Sequence, residues 1–370
     1  MPQTILDDLA EMKRIDKSDM LSFCLEAPKL CREAAKLAGA VRINYSKPQT
    51  IIVAGMGGSA IGGELLKDWT RDKIDVPIEI CREYSLPAYA DERTLVFVVS
   101  YSGETEEALS MFLDSTKRNC MTFCISSGGK LLRFAEELSL PYLRVPSGFP
   151  SRAALPYLLL PMPIILEKLR LISNVSSEIS EAIKVLEQVE DENSPKTPLD
   201  DNSSKILASK IDGTVPVVYG FGIYRAVAQR YKQQLNENSK IPAKWEFFPE
   251  LNHNEIVGWE GAKELPNCFS TIFIREMDEP EEIRRRIQVT KELVSQEATK
   301  KIFEVWSSGQ SWLAKMLYTI YIGDFTSVYL AILRGVDPTP VKMISLLKER
   351  ITQSGTKKKI IGELQKLCEK

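Results

Sequence analysis

The chain has 370 residues, of which 44% are hydrophobic, enough apolar sequence for about two domains with cores of their own. Its 48 basic and 50 acidic residues leave a formal net charge of −2. No overall field therefore attracts nucleic acid or anionic lipid, and an anionic ligand must be bound locally. The basic runs at 284–286 and 357–359 lie in helical sequence, where we expect solvated helix faces.

The cysteines, the first residues of the chain and its most apolar stretch indicate where the protein is located. Seven scattered cysteines are expected to be reduced thiols, and Cys120 and Cys124 lack the second ligand pair of a metal site. The first residues are acidic and amphipathic, so no signal peptide is predicted. The apolar stretch 153–166 is too short to span a bilayer and carries three prolines, which predicts a buried, broken helix. We expect a cytoplasmic protein without membrane contact.

The predicted elements begin with a helical region at about 5–40. The segment "QTIIVAGMGGSAIGGELLKDW" then predicts a strand, a glycine-rich turn and a helix. Further strands are predicted at "VPIEIC", "TLVFVVS", "MTFCIS" and "YLRV", with helical pieces such as Glu106–Arg118 between them. This alternation predicts a parallel sheet covered by helices.

A polar region at 178–212 separates this block from a second one, and its "EDENSPKTPLDDNSS" predicts a linker or surface loop. The second block has predicted strands in "TVPVVYGFG", "AKWEFF", "CFSTIFI" and "KIFEVW". Gly-x-Gly turns at Gly55 and Gly220 suggest two copies of one α/β unit. The predicted boundaries are a helical segment 1–45, a first domain 46–175, a helix and linker 176–210, a second domain 211–307 and C-terminal helices 308–370.

The glycine-rich turn "GMGGSAIGG" (55–63) is suited to an anion, because glycines allow close backbone approach and Ser59 can cap the helix that follows. It does not form Gly-x-Gly-x-x-Gly from its first glycine, and no acidic residue ends the next strand, which disfavours a dinucleotide site. It also lacks the Lys-Ser/Thr of a nucleotide P-loop.

A second anion-suited turn is "VSYSGETEE", where Ser100, Ser102 and Thr105 lie between a predicted strand and a helix. The alternative is an ordinary turn with Thr105 as a helix cap. Because parallel strands end at one edge of the sheet, both turns are expected there, where α/β sheets bind ligands. Together they predict a phosphate site built mainly of neutral donors.

The chain has a single histidine, His253, in "PELNHNEIVGW". A lone histidine is commonly a structural or surface residue. Its alternative role is to give and take protons near neutrality, to which an imidazole is suited.

Taken together, "GMGGSAIGG", "SYSGETEE", "PSRAALPYLL", "NENSK", "PELNHNEIVGW" and "LRGVDPTPVKMISLLKERI" occur in this order, and the chain resembles the bifunctional phosphoglucose/phosphomannose isomerases of the sugar-isomerase (SIS) domain superfamily over residues 50–350. The resemblance implies two SIS domains, each a parallel sheet flanked by helices, and a helical C-terminal segment. It also implies a homodimer that interconverts glucose or mannose 6-phosphate with fructose 6-phosphate through a cis-enediol, with no metal and no cofactor.

The resemblance also implies roles for single residues. It assigns the 6-phosphate to Gly58, Ser59, Ser100, Ser102 and Thr105. It makes Arg152 the cation that stabilises the enediolate and Glu237 the base. It implies that His253, from the partner subunit, and Lys348 assist ring opening and proton transfer between oxygens. From the residues alone, Glu237 reads as a surface carboxylate, Arg152 as an ion-pair partner and Lys348 as part of an exposed helical face.

Two other functions stay open: an isomerase restricted to glucose 6-phosphate, and a SIS-domain sensor that binds sugar phosphate without turnover. The absence of a helix-turn-helix or basic extension disfavours the sensor. One histidine cannot supply the ligands of a zinc-dependent isomerase.

Three local features depart from the family pattern or from the first block. Glu104 stands where relatives often have Asn, and we expect its carboxylate to point away from the phosphate. The 22 residues after Lys348 are expected to cover a dimer surface. The turn "GFGIYR" lacks a serine-rich companion, so no second phosphate site is expected there.

Overall fold

The structure, a computed structural model, describes residues 4–265, 268–352 and 355–369. All strands of these ranges belong to one of two parallel sheets. The strands are β1 (Thr50–Gly55), β2 (Ile78–Cys81), β3 (Thr94–Val99), β4 (Met121–Ser126), β5 (Tyr142–Arg144), β6 (Val215–Phe221), β7 (Lys244–Phe248), β8 (Phe269–Arg275) and β9 (Ile302–Trp306).

The α-helices of the described ranges fill most of the chain between and around these strands. They are α1 (Leu9–Ile15), α2 (Met20–Leu25), α3 (Ala27–Ala40), α4 (Gly58–Thr70), α5 (Glu106–Lys117), α6 (Gly129–Glu137), α7 (Leu155–Leu159), α8 (Pro161–Lys168), α9 (Val175–Asn193), α10 (Ser203–Ile211), α11 (Arg225–Glu237), α12 (Glu281–Glu297), α13 (Trp312–Leu333), α14 (Lys342–Thr352) and α15 (Thr356–Cys368). Short 3-10 helices occupy Ile5–Asp7, Leu199–Asp201, Gly222–Tyr224, Glu250–His253 and Glu255–Glu264.

The first-sheet unit comprises Lys29–Ser177 and Val341–Lys370. Its strand order is β2-β1-β3-β4-β5, with β1 and β3 paired along their whole length. Strands β3 and β4 are buried at every position, as expected of parallel strands covered by helices on both faces. The apolar stretch 153–166 forms α7 and α8, which are buried and interrupted at Leu160, as the prolines predicted.

The second-sheet unit comprises Met1–Pro28 and Glu178–Pro340. Its sheet has the order β7-β6-β8-β9. Helix α13 forms much of its core and contacts α10 and α11. Among the described helices, α13 alone is long and apolar enough to cross a membrane, and 89% of its apolar window is buried within the protein. The predicted α/β class, with two parallel sheets flanked by helices and a helical C-terminal segment, is confirmed.

The two units group the chain differently from the predicted domain boundaries. The first 28 residues belong with the second sheet, and the last 30 belong with the first. Helix α13, predicted within a separate C-terminal block, is a core helix of the second-sheet unit. Apolar burial decides this grouping, and it joins segments that lie far apart in sequence.

The polar segment 190–204 contains the surface loop that its composition predicts: residues 194–202 join α9 to α10, and most of them are exposed or half-buried. Its ends lie in α9 and α10, and both Asn193 and Asn202 are fully buried. The Asn202 side chain accepts a hydrogen bond from Lys205 N at 2.9 Å and caps α10, while Asn193 Oδ1 accepts from Ser204 N at 3.1 Å. Asn193 and Asn202 therefore hold the start of α10 inside the unit.

The last helix, α15, packs on α5 and α6 of the first-sheet unit. Ile360 and Leu364 are 7% and 0% exposed and join the core beneath these helices. One face of this helix therefore packs within its own unit, and the expected cover of a dimer surface stays a prediction. Helix α14 differs, because its residues from Lys342 to Ile351 are all exposed.

A buried ion pair in the second-sheet unit gives a stability prediction. Arg230 on α11 and Asp324 on α13 are 2% and 5% exposed at their side chains, and Arg230 Nη2 lies 2.5 Å from Asp324 Oδ2. Removing the Asp324 carboxylate takes a directly paired counter-charge from a buried guanidinium. We therefore expect Asp324→Ala to lower the free energy of unfolding by about 3–5 kcal/mol in urea unfolding of the full chain.

The matched control is Glu281→Ala, which breaks an ion pair with Arg285 whose side chains are 78% and 77% exposed. This change should cost less than about 0.5 kcal/mol, because solvent screens the pair. Equal effects of the two substitutions would contradict the assigned role of Asp324.

Candidate active site

The first loop of the site joins β1 to α4. Gly57 has a φ of +52°, which an L side chain rarely adopts, and α4 begins at Gly58. A Cβ on Gly58 would lie 3.2 Å from the Ser151 carbonyl oxygen and 3.4 Å from the Arg152 Cα. The missing side chain therefore lets the backbone at 151–152 pack against the start of α4. Arg152, 3% exposed, is held next to this loop.

The second loop joins β3 to α5 and contains the predicted hydroxyl residues. Ser100 is buried, and its Oγ donates to Thr105 Oγ1 at 3.0 Å. Ser102 is exposed, and its Oγ accepts from Glu104 N at 3.2 Å. The backbone turns at Gly103, whose N–H donates to the Ser100 carbonyl oxygen at 3.0 Å.

A hydrogen bond joins the two loops. The backbone N–H of Tyr101 donates to Ser59 Oγ at 3.3 Å. Because β1 and β3 are neighbours in the sheet, their carboxyl ends bring these loops together. The structure thus gathers all the residues predicted to hold phosphate, with Arg152, at one edge of the first sheet: Gly58, Ser59, Ser100, Ser102 and Thr105.

Tyr101 is a residue of this site that the sequence analysis missed. Its carbonyl oxygen accepts from Ser127 Oγ at 2.7 Å, and its hydroxyl donates to the Pro146 carbonyl oxygen at 3.1 Å. The same hydroxyl accepts from Phe149 N at 2.9 Å. Burial raises the pKa of Tyr101, so the hydroxyl stays protonated and can donate. Tyr101 therefore ties the second loop to the segment that leads to Arg152.

The glycine at 103 is required by a close backbone contact. Its φ is +66°, and a Cβ there would lie 1.9 Å from the Gly128 carbonyl oxygen. Gly335 has a φ of +67° but has open space around its missing Cβ. Substitutions at Gly103 and Gly335 can therefore separate the free-energy cost of a positive φ from the cost of the contact between a Cβ and the Gly128 carbonyl oxygen.

We expect Gly103→Ala to lower the free energy of unfolding by more than about 3 kcal/mol, because a backbone oxygen cannot move aside cheaply. Gly335→Ala, the control, should cost about 1 kcal/mol from its φ alone. Urea unfolding of both variants measures the difference. Equal costs would show that the contact with Gly128 does not constrain the loop.

The remaining predicted residues lie elsewhere in the chain. Glu237 ends α11 in the second-sheet unit, is half-buried, and its carbonyl oxygen accepts from Lys240 Nζ. His253 ends a short 3-10 helix after β7 and is exposed. No described hydrogen bond joins Glu237 to His253. Lys348 lies on the exposed α14 of the first-sheet unit.

The loop that carries His253 is held by the residue before it. Asn252 Nδ2 donates to Thr290 Oγ1 at 2.9 Å, and Asn252 Oδ1 accepts from Arg286 Nη1 at 3.3 Å. Both partners lie on α12, so the Asn252 side chain is held at two points on that helix. Within the described part of the chain, the His253 imidazole has no hydrogen-bond partner.

The carboxyl edge of the second sheet is filled by its own side chains. The Tyr224 hydroxyl lies 2.7 Å from Ser307 Oγ and 3.2 Å from Glu276 Oε2, and Lys315 Nζ lies 2.8 Å from the same carboxylate oxygen. Burial raises the pKa of Tyr224. Glu276 pairs with Lys315 at this edge, so the lysine charge is already balanced where the first sheet presents hydroxyls.

No group of three or more His, Cys, Asp and Glu side chains placed to hold a metal occurs in residues 4–265, 268–352 and 355–369.

Comparison with known proteins supports the fold assignment. Residues 200–351 match the model of the bacterial phospho-glucose isomerase C-terminal SIS domain. The C-terminal domain of glucosamine-fructose-6-phosphate aminotransferase from Francisella tularensis superposes with a TM-score of 0.64 at 18% identity, covering 87% of this chain and 98% of that one. The two sheets thus define a protein of the SIS fold.

Sequence relatives narrow the assignment. A bifunctional phosphoglucose/phosphomannose isomerase of Caldicellulosiruptor bescii is 38% identical, over 88% of this chain and 97% of that protein. One from Thermoplasma acidophilum is 33% identical, over 90% of this chain and 99% of that protein. The chain belongs to the bifunctional phosphoglucose/phosphomannose isomerase family, which confirms the resemblance seen in its motifs.

Proposed function

We propose that the protein interconverts glucose 6-phosphate and mannose 6-phosphate with fructose 6-phosphate. Its family supports a sugar-phosphate isomerase, and one observation supports the site: two hydroxyl-bearing loops and the buried Arg152 meet at one edge of the first sheet. The loops offer neutral donors to the 6-phosphate at the start of α4 and α5, where helix dipoles favour an anion. The chain's near-zero net charge is consistent with such local binding.

The proposed reaction moves a proton between C1 and C2 of the open-chain sugar. Glu237 takes the proton from one carbon and returns it to the other, and the electrons form a planar enediolate in between. Arg152 stabilises the negative oxygen, since a guanidinium keeps its charge even when buried. The two aldose phosphates differ only at C2, and a planar C2 has no configuration. One site therefore suffices for both sugars.

Ring opening needs groups that exchange protons with the ring oxygen and the C1 hydroxyl. His253 and Lys348 take these roles in the proposal, and neither step requires a metal or a cofactor. The His253 side chain is exposed and has no hydrogen-bond partner among the described residues, which leaves it accessible to a ligand. The aldose and ketose phosphates would be the small-molecule partners, with no role for nucleic acid or membrane.

The proposal includes a homodimer in which His253 reaches the partner's site. Helix α14 leaves Met343 79% and Leu347 57% exposed, which is unusual for large apolar side chains on one short helix. Beside the His253 loop, Val289 and Leu293 line a groove of about 650 Å³ and are 47% and 43% exposed. A second copy of the chain would cover such surfaces.

We also propose a cytoplasmic location. All seven cysteines are free thiols, five of them buried, as expected for a protein kept in a reducing compartment.

The first test incubates the purified protein with fructose 6-phosphate and EDTA, followed by chromatography of the aldose phosphates. We expect both glucose and mannose 6-phosphate, at a rate that EDTA does not change. Glucose 6-phosphate alone would favour the narrower isomerase. Binding of fructose 6-phosphate without either product would favour the sensor, and loss of turnover with EDTA would contradict the metal-free mechanism.

The second test uses complementation between subunits. Glu237→Gln and His253→Ala homodimers should each lose isomerase activity while still binding fructose 6-phosphate. After dissociation and random reassociation, half of the dimers are mixed, and each mixed dimer has one site with both native residues. We therefore expect about a quarter of the wild-type rate.

Mixing Glu237→Gln with Arg152→Ala is the control. Without restored activity in the first mixture, His253 does not act across the interface. Retained turnover in Glu237→Gln alone would remove Glu237 as the base.

A further inference from the structure

Glu104 lies in the second loop, between Ser102 and Thr105, and two lysines hold it. Its carboxylate accepts from Lys130 Nζ at 3.0 Å and from Lys130 N at 3.0 Å. It also accepts from Lys357 Nζ at 2.8 Å. These contacts come from the start of α6 and the start of α15, so the carboxylate joins two helices to the loop.

Lys357 contacts the backbone of the loop as well. Its Nζ donates to the Glu104 carbonyl oxygen at 2.7 Å, in addition to the carboxylate contact. One ammonium group therefore holds the side chain and the main chain of a single loop residue. An exposed ion pair between flexible side chains would leave the backbone unrestrained. Here the contact with the carbonyl oxygen restricts the backbone of Glu104, between Gly103 and Thr105.

Helix α15 provides a rigid anchor for Lys357. Ile360 and Leu364 on this helix are buried, and Lys117 on α5 pairs with Glu363. The Lys357 side chain is 25% exposed, so part of it is packed against its surroundings. A helix fixed by apolar burial can transmit its position to the loop.

The charges around Glu104 are compatible with a neighbouring anion. Partial burial acts to raise the pKa of Glu104, but hydrogen bonds from Lys357 and Lys130 outweigh it and hold that pKa below its usual value. The carboxylate is thus ionised and paired at neutral pH. Two lysines and one carboxylate carry a net single positive charge, so the Glu104 side chain does not repel a phosphate bound by the loop.

We propose that Lys357 and Glu104 form a latch through which α15 holds the loop 100–105 in the conformation that binds the sugar phosphate. The latch rests on the proposed function, because it takes this loop as the phosphate site. Lys357 and Glu104 are positioning residues: they act on the hydroxyls of Ser100, Ser102 and Thr105 through the backbone that carries them. The segment after Lys348 then has a role in substrate affinity.

The test compares Lys357→Met with Lys359→Met. Lys359 lies on the same helix and is exposed, so its substitution removes the same charge without touching the loop. We expect Lys357→Met to raise the KM for fructose 6-phosphate, and the inhibition constant of inorganic phosphate, by about threefold to tenfold, with kcat changed by less than about twofold. Lys359→Met should leave all three constants unchanged.

The loop side of the latch gives a second variant. Glu104→Gln removes the charge but keeps an acceptor, so its effect should be smaller than that of Lys357→Met. The Glu104–Lys357 contact is already lost in Lys357→Met, so the double variant should exceed it only by the weakened contact between residue 104 and Lys130. Glu104→Gln leaves the apolar contacts of α15 intact. If Lys357→Met lowers the thermal unfolding midpoint, the same measurements are made on Glu104→Gln instead.

Hydrogen–deuterium exchange of residues 100–106 separates the latch from the proposed function. Faster exchange of these amides in Lys357→Met than in wild type and Lys359→Met supports the latch, even for a protein that shows no isomerase activity. A wild-type protein without isomerase activity would contradict the proposed function but not the latch. Unchanged exchange, KM and inhibition constant in a folded Lys357→Met protein would overturn the latch. Equal changes in Lys357→Met and Lys359→Met would also overturn it.

Discussion

The hydrogen bond from Tyr101 N to Ser59 Oγ depends on how closely β1 and β3 approach at their carboxyl ends. A Cβ on Gly55 would lie 2.7 Å from the Val99 carbonyl oxygen, so only glycine permits this approach at the last residue of β1. The close approach lets one serine hydroxyl serve the neighbouring loop. Close backbone packing at Gly58 and Gly103 places the two loops around this contact. Such placement keeps the geometry within narrow limits, which binding by neutral donors requires.

The two sheets share one architecture but differ in the side chains at their carboxyl edges. Both contain a Gly-x-Gly turn after a central strand, and both have a Ser-Ser-Gly sequence after a later strand, at 126–128 and 307–309. In the first sheet, the edge presents hydroxyls and a glycine-rich helix start. In the second, Tyr224, Glu276 and Lys315 satisfy one another at the equivalent edge. The second sheet therefore keeps the fold while its own charges occupy the place of a ligand.

Local pattern was sufficient to predict the strands. Apolar, β-branched runs bounded by turn residues identify the strands, most clearly β3 and β4, which are buried on both faces. Within the loop segment 190–204, the burial of Asn193 and Asn202 could not be predicted, because an asparagine has the same sequence signal in an exposed loop and in a buried cap. Only tertiary packing separates the two, and Asn202 is fully buried.

The parts of the site that the sequence analysis missed depend on distant partners. The Tyr101 hydroxyl meets Pro146 and Phe149, and Glu104 meets a lysine 253 positions away. No local pattern contains these pairings. Arg152, Glu237 and Lys348 were identified through family motifs, because an arginine, a glutamate or a lysine on a helix has no distinguishing local signal. Their roles remain predictions.

The packing of α15 on the first sheet has a consequence for synthesis. The core beneath α5 and α6 includes Ile360 and Leu364, which leave the ribosome after every strand of both sheets. The first sheet can collapse early, but its apolar layer stays incomplete while the intervening 163 residues of Glu178–Pro340 are made. Folding of the first unit therefore ends with a contact of very long sequence separation, which slows its final step and exposes apolar surface to aggregation in the nascent chain.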